Sequence, residues 1–185
     1  MYYIGSASQA LLYLAWIFYL FVERYGKITP MDILKGKELY LVAVKLLLRD
    51  GDKLLITHDI FDMWDLPGGR IRVDEFHKQL ESVIERKVRE ELGSDVQYKL
   101  GQPAVFFRVE REEHALTKHG TYVPSGQMVR IFAIGYEAHY LGGKIKLGEY
   151  HDNMEWISVQ TFDPKKYFKG GWLVGVQEYL AKVKQ

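Results

Sequence analysis

At 185 residues, 48% of them hydrophobic and 14% aromatic, the chain can form one domain with a sizeable core and is too short for two independent ones. Its 25 basic and 24 acidic residues leave a net charge of +1, so no global field draws in nucleic acid or anionic lipid, and any polyanion site must be local. The absence of cysteine excludes disulfides, thiolate metal centres and cysteine nucleophiles, and a cytoplasmic setting is expected.

Residues 1–22 carry no charge, and Ala10–Val22 is apolar throughout. The run is short for a membrane span, which takes about 20 apolar residues, and no basic residue precedes it as in a signal peptide. We read it as a helix buried all round, against the domain body or a second copy of the chain, so a homodimer is expected. A membrane anchor through residues 10–22 is the alternative. Glu23–Lys37 mixes charges with Gly26, Pro30 and Gly36 and reads as a connection. The expected organisation is therefore 1–37, helix and connection, followed by a main domain at 38–185.

Leu39–Leu48 and Lys53–Thr57 are apolar runs flanking the turn-forming sequence Arg49-Asp50-Gly51-Asp52, which predicts a hairpin. Phe76, Leu80, Val83, Ile84, Val88 and Leu92 recur at spacings of three and four, predicting an amphipathic helix. Gly93 suits its left-handed cap. Later strands are predicted from Ala104, Met128 and Glu155, with a turn at Gly142-Gly143 and a solvated loop over Arg111–Gly120. Trp172, Val174, Val176, Tyr179, Leu180 and Val183 mark an amphipathic closing helix. The order strands, helix, strands, helix predicts an α/β fold in which helices cover a mixed sheet.

On the first of these helices Arg86, Lys87, Glu90 and Glu91 fall three and four residues apart and form one polar patch. Paired carboxylates suit a hard divalent cation, which takes oxygen ligands and is often held by one or two carboxylates plus substrate phosphates. The glycine pair Gly68-Gly69 permits close backbone approach, and Glu75 is placed to brace Arg86.

This stretch resembles the signature of the Nudix hydrolases, G-x5-E-x7-R-E-U-x-E-E-x-G-U, where U is a bulky aliphatic residue. Gly69, Glu75, Arg86, Val88, Glu90, Glu91 and Gly93 fall on its positions. The similarity runs from Leu39 to the C-terminus and takes in Trp64–Arg70 and His151–Phe162. It implies an α/β/α sandwich around a mixed sheet. It also implies hydrolysis, dependent on Mg²⁺ or Mn²⁺, of a small-molecule nucleotide: a nucleoside diphosphate linked to another group. The Gly69 carbonyl, Glu90 and Glu91 would be metal ligands, Glu90 and Arg86 catalytic, Arg70 a phosphate contact, and Glu75 with Arg86 a structural brace. Glu149 ranks first as general base, with Asp152 second. His151 reads as a packing residue, and Trp64, Phe106, Phe107 and Tyr122 as packing aromatics rather than base-stacking ones.

Three departures stand beside the matches. Ten residues separate Glu75 from Arg86 where the family has seven, Lys87 replaces a usual metal-binding glutamate, and Ser94 replaces the last aliphatic residue. Glu81 and Glu85 point away from the patch and cannot substitute. Lys87 is expected to pair with Glu91 or to meet a substrate phosphate. These departures keep a second reading open, a catalytically impaired domain that binds a nucleotide or a protein partner.

Overall fold

The computed structural model describes residues 35–118 and 120–184; the apolar run 10–22, with its dimer and anchor readings, lies outside the described residues. All elements below fall within Tyr40–Gln185, one of two compact units of the chain. In chain order they are β1 Leu41–Asp50, β2 Lys53–Asp59, β3 Met63–Asp65, β4 Gly68–Arg70, α1 Leu80–Glu91, β5 Gln97–Leu116, β6 Tyr122–Gly142, β7 His151–Ser158 and α2 Gly170–Val183.

The predicted hairpin forms, and it splays. β1 and β2 pair only beside the turn, at Arg49 with Leu54 and Asp50 with Lys53. Beyond that point β1 takes β6 as a parallel neighbour and β4 as an antiparallel one, while β2 takes β3 and β7. The result is a mixed sheet buried on both faces, which is why β1 reads as a continuous apolar run instead of an alternating one. Its side chains nevertheless alternate between two cores. Ala43 and Leu47 join Ile56, Phe107, Val176 and Tyr179 beneath α2, whereas Val44, Leu46 and Leu48 join Val83, Ile84 and Val88 beneath α1. Fully burying each large side chain contributes about 1.5–3 kcal/mol, so two helix-covered faces give the sheet its rigidity.

Two sequence expectations are corrected. α1 begins at Leu80, and Phe76 stands 81% exposed outside it. The longer spacing between Glu75 and Arg86 is thus absorbed before the helix starts, and the apolar stripe begins at Leu80. Arg111–Gly120 is not a loop over most of its length, because β5 continues to Leu116 and pairs with Tyr122 of β6. Along this stretch Glu112 is exposed while Arg111 and Glu113 are half-buried, and just before it Glu110 pairs with Arg130 at 2.7 Å across the two strands.

Candidate active site

The glycine turn is pinned to the sheet. Gly68–Arg70 pairs with Lys45–Ala43 of β1, Leu46 N–H donates to the Pro67 carbonyl at 2.7 Å, and Ile71 N–H to the Val42 carbonyl at 3.0 Å. The two glycines are required for different reasons. Gly68 has φ of +137°, and a Cβ there would lie 2.2 Å from the Val44 carbonyl oxygen, so only glycine fits. At Gly69 a Cβ would instead meet the side chain of Lys87, 2.2 Å from its Cε. The second glycine therefore makes room for a lysine stem.

α1 brings its polar stripe against this turn. Glu75, at the end of a 3-10 turn Val73–Glu75, is buried. It accepts from Arg86 Nε at 2.6 Å and Nη2 at 2.7 Å, and from the Arg72 N–H at 2.9 Å. The bond to Arg86 outweighs burial and holds the Glu75 carboxyl down at about 2. The same pairing raises Arg86. The expected brace is thus present as a bidentate pair.

One turn on, Glu91 is also buried. Its Oε2 accepts the Gly68 N–H at 2.8 Å, tying the helix end to the turn, and its Oε1 lies 3.0 Å from Lys87 Nζ. Glu90 is more open. Its Oε1 accepts from Arg72 at 3.0 Å; its Oε2 accepts from Arg86 at 2.9 Å and lies 3.4 Å from Lys87 Nζ. Burial pushes the Glu90 carboxyl up, but Lys87, Arg86 and Arg72 together hold it below its ordinary value. Loop residues Lys146 and Gly148 donate to the carbonyls of Leu92 and Glu91 at 2.8 and 3.0 Å, satisfying the end of α1.

The Gly69 carbonyl, Glu90 and Glu91 are the donors the resemblance implies for Mg²⁺ or Mn²⁺. Turn and helix end are joined here, but all four carboxylate oxygens already face a cation or an N–H group. Glu75, Glu90 and Glu91 are matched in charge by Arg72, Arg86 and Lys87. Among the described residues no group of three or more His, Cys, Asp or Glu side chains is arranged to hold a metal. With Lys87 where it stands, these residues do not fit a divalent ion.

Beside the patch lies a cleft of about 200 Å³ whose walls include Lys45, Asp65, Gly69, Lys87, Glu91 and Arg111. A second cavity of about 430 Å³ shares Arg111 and Trp172 with it and is walled by Trp64 and Tyr167. Sequence reasoning missed Lys45, Arg111 and Trp172. Lys45 is buried, 2.6 Å from Asp65 and 4.8 Å from the Trp172 ring centre. Its signal was a lone charge in an apolar strand. Arg111 was hidden in the expected loop; its Nε is buried and has no partner. His151, read as packing, lines the cleft with Nε2 4.0 Å from Glu91 Oε2, and its buried Nδ1 has no partner.

Arg70, expected as a phosphate contact, also lines the cleft, and is held bidentately by Glu113 at 2.7 and 2.9 Å. Other expected residues lie further out. Glu149 is exposed, beside Tyr150, whose hydroxyl is pushed up to about 12 by hydrogen bonds to Tyr122 and Glu149. Asp152 accepts from His58 Nδ1 at 2.7 Å, a bond that raises the imidazole. Of the aromatics, Phe107 is core, Phe106 is exposed, Tyr122 packs on Phe61, and Trp64 faces the larger cavity.

A mixed sheet between two helices, with a glycine turn locked to a Glu/Arg-bearing helix, defines the class of fold. No family model and no curated protein matches this chain. Solved structures do. The MutT protein from Methanosarcina mazei Go1 is 18% identical over 80% of this chain and 98% of that one, with a TM-score of 0.59. An ADP-ribose pyrophosphatase from Streptococcus suis 89-1591 is 16% identical over 80% and 94%, at 0.54. A MutT Nudix hydrolase from Burkholderia pseudomallei is 17% identical over 76% and 98%, at 0.52. The chain has the Nudix fold. Among the described residues no helix is long and apolar enough to cross a membrane.

Proposed function

We propose that this chain is a nucleotide pyrophosphohydrolase of the Nudix hydrolases, cleaving the phosphoric anhydride of a nucleoside diphosphate linked to another group. One observation carries the reading. The brace Glu75–Arg86 and the Gly68–Glu91 tie hold the helix end against the glycine turn, so that Glu91 lines a cleft that also presents Lys45, Lys87 and Arg111, with Glu90 beside it in the sequence. Cations fixed in a partly dry cleft bind and orient phosphate oxygens, and such positioning with charge stabilisation is most of what phosphoryl transfer requires. Glu90, the more open of the two acids, is the carboxylate we assign to take a proton from water. Arg86 orients it, and Arg111, with its orphaned Nε, anchors the phosphate nearer the larger cavity. The structural neighbours named for pyrophosphate chemistry support the same class.

A second reading, nucleotide binding without turnover, is favoured by Lys87, which stands against both acids. The two separate in one assay: nucleoside monophosphate release from a panel of nucleoside diphosphate derivatives, with and without Mg²⁺ or Mn²⁺, for wild type and Glu90→Gln. The enzyme reading expects turnover that falls about a hundredfold or more in the variant. No turnover from any substrate, alongside measurable ADP binding, would establish the second reading.

A further inference from the structure

We propose that Lys87 is the built-in cation of this site. Its ammonium takes the place of a divalent ion between Glu90 and Glu91, and it is a contact for an incoming diphosphate in the cleft. The last clause rests on the reading that the cleft receives a nucleotide; the first does not.

The argument begins with the stem. Lys87 leaves the helix and crosses the face of Gly69, where any β-carbon would collide with its Cε and approach its Nζ to 2.9 Å. The ammonium is thereby delivered between two carboxylates, 3.0 Å from Glu91 and 3.4 Å from Glu90. A lysine at a solvated helix surface has no need of a glycine under it. Here the side chain is only 20% exposed and lines the cleft.

Charge balance gives the second support. With Lys87 in place the acids are already neutralised. A divalent ion entering without displacing Lys87 would sit within a few ångströms of a fixed positive charge and find no free carboxylate oxygen, so the local field opposes it. An ammonium has three donors. Its ion pairs with Glu91 and Glu90 leave at least one donor available to a phosphate oxygen in the cleft that Lys45 and Arg111 also border.

The test titrates Mn²⁺ alone into the full chain, read by the paramagnetic signal of free Mn²⁺, for wild type, Lys87→Glu and Lys87→Gln. In Lys87→Glu three carboxylates share the site and one opposing charge is gone, so Mn²⁺ should bind on the order of a hundredfold tighter than to wild type. Lys87→Gln removes the ammonium without adding an acid and should fall between the two. It also keeps the test alive if Lys87→Glu fails to fold. Tight binding of one Mn²⁺ to wild type, unchanged by either substitution, would overturn the proposal. In parallel, ADP binding to wild type is measured calorimetrically in EDTA and in Mg²⁺. Equal affinity is expected, and binding that vanishes in EDTA would overturn the role given to Lys87 toward diphosphate. If ADP binds in neither buffer, the nucleotide reading fails, while the Mn²⁺ series still decides whether Lys87 holds the cation's place.

Discussion

At one end of the polar stripe on α1, Arg86 grips both oxygens of a buried Glu75 at 2.6 and 2.7 Å; at the other, Lys87 reaches Glu91 at 3.0 Å and the half-open Glu90 at 3.4 Å. The first pair joins a planar fork to a carboxylate and adds a backbone N–H, so both partners are fully satisfied and fixed in orientation. The second joins a compact, rotatable ammonium to two acids, of which Glu91 lines a cleft. One is built to hold geometry, and the other leaves its cation in reach of a ligand. The same helix therefore carries, within two turns, an enclosed ion pair and one open to a cleft, and the distinction lies in burial and in the donor geometry that arginine and lysine each bring.

The difference can be broken most severely from the turn that both ends share. Gly68→Ala puts a β-carbon 2.2 Å from the backbone oxygen of Val44 at a φ of +137°. Neither β1 nor β4 can give way, and we expect about 3 kcal/mol or more of lost stability, measured as a drop in the denaturant midpoint at unchanged slope. Glu75→Gln comes next. It removes the charge from a pair that is locally enclosed yet near the protein surface, so the cost is discounted for screening to about 2 kcal/mol. The sign of its pH dependence follows from a folded pKa of about 2 against the ordinary 4.5. The carboxylate stabilises the fold above the unfolded value, and that contribution is lost as pH falls from about 5 toward 2. Urea titrations across that window should show wild type losing the advantage that Glu75→Gln never had.

Much of this contrast was legible in the sequence. The apolar spacing of α1, the cap at Gly93, the hairpin turn and the Glu75–Arg86 pairing all follow from local periodicity or from an ordered motif. The Lys87–Glu91 contact was also readable, since four-residue steps bring side chains together on a helix. What local reasoning could not supply was the splay of β1 from β2, set by which distant strands compete for each backbone edge. Arg111 and Lys45 were missed for that reason. A run of charges looks like a loop until a long ladder is known to continue through it, and a lone lysine in an apolar strand becomes meaningful only when Asp65 and Trp172 arrive from elsewhere. Phe76 fitted the helical stripe by spacing alone, and the extended backbone at Gln79, the N-cap, excluded it.

Gly69→Ala probes the comparison most finely, because it acts on the cleft end and spares the brace. Unlike Gly68, this residue is not in the left-handed region, so an alanine meets no backbone penalty there. The added carbon collides only with the flexible stem of Lys87, which can rotate away. The fold should therefore lose less than about 1 kcal/mol, and the pH dependence from Glu75 should persist. The ammonium, however, can no longer lie between Glu90 and Glu91. With its nearest opposing charge withdrawn, the site should gain some affinity for Mn²⁺ and lose affinity for ADP in EDTA. Stability and ion preference would thus separate in a single variant. If both were unchanged, Lys87 would have other routes to the acids, and the glycine beneath it would not be what sets the cation's position.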